Sequence, residues 1–136
     1  MASFGPASMP SLIIIGTGSE VSLAVGVAKK LAEESISVRV ISMPCTELYD
    51  AQSIDYKLSQ FPDGVPVMSV EAGGTRGWAQ YAHAPFGIVG QFGLSAPAGD
   101  IYTHFGFTEA NLTARAKDVL AFYATRPVPS LYTRPR

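Results

Sequence analysis

One cysteine, one tryptophan and two histidines among 136 residues leave little material for several kinds of chemistry. A single thiol, Cys45, forbids an internal disulfide and argues against a cysteine-based zinc site. His83 and His104 stand 21 residues apart with no carboxylate cluster beside either, so a histidine metal site has little support. Charge is sparse as well: net −1, with lysines and arginines scattered, provides no basic face for nucleic acid. No apolar run approaches the length that crosses a bilayer, so no membrane partner is expected. The opening residues Met1–Pro6 lack both the charged start and the apolar stretch of a secretory signal, and the expected location is cytoplasmic.

What the chain does have is apolar content: 47% hydrophobic residues, enough for one domain with a real core. Residues 1–10 are rich in Ala, Ser, Pro and Gly and read as a linker. Leu12–Ile15 reads as a strand buried on both faces of a parallel sheet. A helix follows from about Ser19 to Glu34, with Val21, Ala24, Val25, Ala28, Leu31 and Ala32 at helical spacing. Val38–Ile41 reads as a second strand, stopped before Pro44, which makes a βαβ unit. Residues 45–60 hold one or two short helices, Val65–Val70 a third strand, Trp78–Ala82 a short helix and Phe86–Val89 a short strand. A last helix carries Leu112, Ala116, Val119, Leu120 and Tyr123 behind a Thr108 cap. The domain proper is expected over residues 11–124. The tail, residues 125–136, holds three prolines and three arginines and is expected to be extended or disordered.

Several motifs fall short of the chemistry they resemble. Gly16-Thr17-Gly18-Ser19-Glu20-Val21 begins like a dinucleotide fingerprint, but Val21 stands where a third glycine would allow close helix packing. No carboxylate ends the second strand to hold a ribose, so NAD is not expected. Thr17 and Glu20 stand instead at capping-box spacing, while the same free amides at Thr17, Gly18 and Ser19 offer an anion site. Ser95 in Gly93–Pro97 has proline in place of the second glycine of a nucleophile elbow. Gly99-Asp100-Ile101 lacks the second glycine that introduces a thiamine diphosphate metal site. Cys45 is expected as an inert buried thiol near a helix start, and His83 and His104 as hydrogen-bonded packing residues. Glu71 ends the third strand beside Gly73, Gly74, Gly77 and Arg76. It reads either as a functional carboxylate or as a clamp shaping that glycine loop.

Three segments in register carry a family resemblance. Ile15–Ala24 resembles the opening of the C-terminal domain of transketolase. Val67–Ala72 with Gly77-Trp78 and Tyr81–His83 is similar to that domain's central strand and loop. Phe92–Pro97, then Phe105–Thr108 and a final helix, resembles its last third. The domain is shared with dihydroxyacetone synthase. The resemblance implies an α/β fold, a three-layer open sheet of about five mainly parallel strands with one antiparallel edge and helices on both faces. It implies a parent enzyme that moves a two-carbon ketol unit between sugar phosphates, with thiamine diphosphate and a divalent metal (Mg or Ca) held by two upstream domains. For this chain it implies no catalytic, cofactor or metal residue, a role in assembling subunit and homodimer, and those upstream domains and a second subunit as partners. The alternative is a free-standing module binding a phosphate or nucleotide at Thr17, Gly18, Ser19, Glu71, Gly73, Gly74 and Arg76.

Overall fold

The computed structural model describes residues 1–71, 76–87 and 106–132. Among these residues five strands form one sheet in the order β1-β3-β2-β4-β5: β1 (Ala2–Phe4), β2 (Leu12–Gly16), β3 (Val38–Ser42), β4 (Val67–Val70) and β5 (Ala84–Phe86). Only β1 runs antiparallel, with Ala2 opposite Val40 and Phe4 opposite Val38. The other neighbours are parallel, with Ile13 between Arg39 and Val67. The antiparallel edge therefore comes from the segment expected as a linker. Gly5 makes this return possible: at φ +94° it lies against the Ser37 backbone, where any side chain would collide.

Every residue of β2 is buried, as befits a strand covered on both faces. Successive residues supply opposite cores. The first face carries Leu12, Ile14, Val38, Val40, Met68 and Val70 under α1 (Glu20–Glu33) and the C-terminal helix. Helix α1 presents Ala24, Val27, Ala28 and Leu31 to it, a stripe at i, i+3, i+4 and i+7. It ends with the Ile36 amide donating to the Leu31 carbonyl at 3.1 Å, and Ser35 takes the left-handed conformation this closure needs.

The second face carries Ile13, Ile15, Ile41 and Val67, with Phe61, Tyr81 and Ala82 packed on them. Its covering helices are short: α2 (Thr46–Asp50) and α3 (Ile54–Gln60), neither of which has a buried residue. Arg39 fixes α3 by donating from Nη1 to the Ser59 and Gln60 carbonyls at 3.1 and 2.8 Å. After β4 comes a single 3-10 turn, Arg76–Trp78, in place of the expected Trp78–Ala82 helix. The C-terminal helix α4 (Glu109–Ala124) starts at the expected cap, where Thr108 Oγ1 accepts from the Asn111 amide at 3.1 Å.

The tail was expected to be extended or disordered. Through Tyr132 it is neither helix nor strand, yet it is docked. Leu131 and Tyr132 pack on the second core, and Ser130 Oγ donates to Asp63 at 2.9 Å.

Candidate functional site

The sheet brings Thr17 and Glu71 together. Gly16 and Val70 are register partners on β2 and β4, so the next residue of each strand emerges at the same carboxyl-end edge. There the Thr17 hydroxyl donates to the Glu71 carboxylate. A charge-assisted bond of this kind is stronger than one between neutral groups. The Glu71 amide donates to the Phe86 carbonyl at 3.0 Å, so one residue joins β2, β4 and β5.

This contact replaces the expected capping box. Ser19, in helical conformation at φ −66°, occupies the N-cap of α1 and makes no side-chain cap bond. The Glu20 amide donates to the Thr17 carbonyl at 3.1 Å, and Ser19 Oγ donates to the Glu20 carboxylate at 3.1 Å. The close helix approach that a third glycine would have allowed is taken by Gly16, whose added Cβ would lie 3.0 Å from Val21 Cα. Gly18 is exposed at φ +54°, with open space where a side chain would stand.

Two carboxylates stand at this turn: Glu71, which accepts from the Thr17 hydroxyl, and Glu20, at 5% exposure, at the helix start. The adjoining cleft is lined by Ser19, Glu20, Ser22, Leu23, Phe107 and Glu109, with no cationic side chain among them. Arg76 opens the 3-10 turn. Gly73, Gly74, Ser95, Asp100 and His104 lie outside the described residues. Among the described residues no group of three His, Cys, Asp or Glu side chains is placed to hold a metal ion.

Cys45 was expected to be buried. It is half-buried at the N-cap of α2, with Sγ 3.9 Å from a Glu47 carboxylate oxygen. His83 is a packing residue of defined tautomer. Its Nδ1 accepts from the Val67 amide at 3.0 Å, so the proton sits on Nε2, which donates to the Pro129 carbonyl at 2.8 Å. The imidazole thus ties β4 to the tail.

Sequence reasoning missed a tyrosine cluster on the second face. Tyr49 stacks edge-on against both Phe61 and Tyr81. Tyr81, 7% exposed, points its hydroxyl at both Asp50 carboxylate oxygens, at 3.0 and 2.9 Å. The Tyr132 oxygen lies 2.7 Å from the Phe61 carbonyl and 3.0 Å from that of Lys57. Burial holds the Tyr49, Tyr81 and Tyr132 phenols above their ordinary range, reinforced by the Asp50 charge at Tyr49 and Tyr81 and by Tyr49 and Asp63 at Tyr132. No local motif marks the cluster, because its three tyrosines lie 32 to 83 residues apart.

Comparison with known proteins gives the fold a lineage. Residues 3–108 match the family described as the transketolase-like TK C-terminal domain. The chain is 46% identical to transketolase 1 of Saccharomyces cerevisiae over 114 residues, covering 84% of this chain and 17% of that protein. A crystal structure of transketolase from Pichia stipitis in complex with sedoheptulose 7-phosphate superposes with a TM-score of 0.89 at 40% identity. The match covers 99% of this chain and 20% of that one. The transketolase of Leishmania mexicana matches at TM-score 0.85 and 43% identity, over 93% of this chain and 19% of that one. The chain spans about a sixth of the length of its curated relatives. Family match, sequence identity and superposed fold agree: the chain belongs to the transketolase family and corresponds to its C-terminal domain.

Proposed function

We propose that this chain serves as the non-catalytic C-terminal domain of a thiamine-diphosphate-dependent transketolase, where it helps to assemble the subunit and the homodimer. The parent transfers a two-carbon ketol unit between sugar phosphates, and the cofactor and its divalent metal belong to the upstream domains. One observation carries this reading: nearly the whole chain superposes on one fifth of a transketolase that was crystallised with a sugar phosphate. The geometry at Thr17 and Glu71 is consistent with it, since the hydroxyl donates to the carboxylate and the pair ties β2 to β4 at the sheet edge.

A chimera tests the reading. This chain replaces the matching C-terminal segment of the Saccharomyces cerevisiae relative, and ketol transfer from a ketose phosphate to an aldose phosphate is assayed. The chimera is expected to be active and dimeric, and the 136-residue chain alone to be inactive. Turnover by the chain alone would overturn the reading, as would a folded, cofactor-loaded chimera that cannot dimerise. An immunoblot of source cells adds a second check, with a band several times larger than 14.4 kDa expected.

A further inference from the structure

The second face of the sheet has an outer surface that the described residues do not cover. Neither α2 nor α3 buries a single residue, although both carry large apolar side chains. Leu48 is 67% exposed, Ile54 52% and Tyr56 47%. Leu48 and Tyr56 flank a cleft of about 230 Å³ whose floor includes Ile41, Met43 and Phe61. Ile54 lines a neighbouring cleft, and Tyr49 borders both; exposed apolar side chains grouped in this way mark an interaction site. Phe122, the large exposed side chain on α4, differs in having the Arg126 guanidinium 3.9 Å above its ring.

We propose that the α2–α3 surface is the seat of the upstream part of the transketolase polypeptide, with Leu48 and Ile54 as its anchors. This rests on the assembly reading above and identifies the surface that would perform it. Three observations select that occupant. Four fifths of the superposed transketolase chain has no counterpart here, so a large body remains to be placed. Met1 lines the same cleft, which brings any preceding polypeptide to its rim. The two helices are also acidic, with Glu47, Asp50 and Asp55 exposed and a single lysine, Lys57, half-buried. A second copy docking by two-fold symmetry would set acid against acid. The fitting partner is therefore an apolar ridge with a basic border, of the modest size usual for domains within one chain.

The chimera described above provides the test, with limited proteolysis at the domain junction and thermal unfolding as readouts. Wild-type chimera is expected to melt in one transition and resist cleavage. Leu48→Asp with Ile54→Asp should speed junction cleavage by about tenfold or more, as loss of central anchors does, and should split the melt into two transitions. Phe122→Asp should leave both readouts unchanged. The isolated chain bearing the double substitution should melt like the unsubstituted chain, because neither side chain supports its own core. A double variant that stays coupled in the chimera overturns this surface while leaving the assembly reading intact. An unsubstituted chimera that folds but never couples overturns both. Dimers of the isolated chain that disappear on Leu48→Asp would make a second copy the occupant and overturn the proposal.

Discussion

Neighbouring residues of one strand meet very different surroundings on the two faces of this sheet. Leu12 and Ile14 face two long helices whose buried stripes interlock in an apolar core. Ile13 and Ile15 face aromatic rings, two short helices with nothing buried, and a returning tail. The second face also holds polar loose ends. Arg39 Nε and Ser69 Oγ are buried there without partners, while its tyrosine hydroxyls are tied to Asp50 and to carbonyls. The first face is sealed by the domain itself. The second relies on hydrogen-bonded phenols, and its outer surface is open to another body. Burial of apolar area dominates the first, and polar satisfaction decides the second.

That contrast can be broken from either side. The largest effect belongs to the first face: Leu112→Ala, at a fully buried position of α4, should cost about 3 kcal/mol through lost transfer energy and a cavity. Urea denaturation measures it, and a loss under about 1 kcal/mol would mean that the helical face is not the main support. Next comes a chain ending at Arg126, which removes Leu131, Tyr132 and the Pro129 carbonyl from the second core. It should lose about 2 kcal/mol by area, since both side chains are only partly buried. Tyr132→Phe isolates the hydroxyl and should cost about 1 kcal/mol.

The same hydroxyls set a pH dependence. The Tyr49, Tyr81 and Tyr132 phenols are raised in the fold, so the folded state favours their protonated forms. Their contribution is complete below the ordinary tyrosine value of about 10 and is lost as pH rises beyond it. Thermal melts across that alkaline range should decline, and Tyr132→Phe should flatten the decline. An unchanged slope would remove the phenols from the account. Smaller still is Ser69→Ala, which deletes a hydroxyl without a partner and should be neutral or stabilising by up to about 1 kcal/mol. Leu48→Ser should shift the isolated chain by no more than about 0.5 kcal/mol, because the side chain projects into solvent.

Much of the first face was legible in the sequence, since its signals are local. The apolar run of β2, the helical repeat of α1 and the Thr108 cap each lie within a few turns of chain. Even so, the stripe on α1 includes Val27, where the periodicity pointed to Val25. What could not be read depends on partners far apart. Ala2–Phe4 is too short to show a period and is a strand only because Val38–Val40 offers an open edge. Thr17 and Glu20 had capping-box spacing, yet a carboxylate 54 residues away took the hydroxyl. The Pro/Arg composition of the tail argued for disorder, and composition carries no record of the core that Leu131 and Tyr132 reach.

The outer strands β1 and β5 are each three residues long, and β5 has Pro85 at its centre. At about 3.3 Å per residue, each spans only about 10 Å of ladder. A neighbour seeking to extend the sheet finds almost nothing to grip on β1, and on β5 a residue with no amide hydrogen. Growth by backbone pairing, the usual route from an incomplete domain to a fibre, is thereby blunted. Association is left to side-chain shape rather than to the backbone ladder.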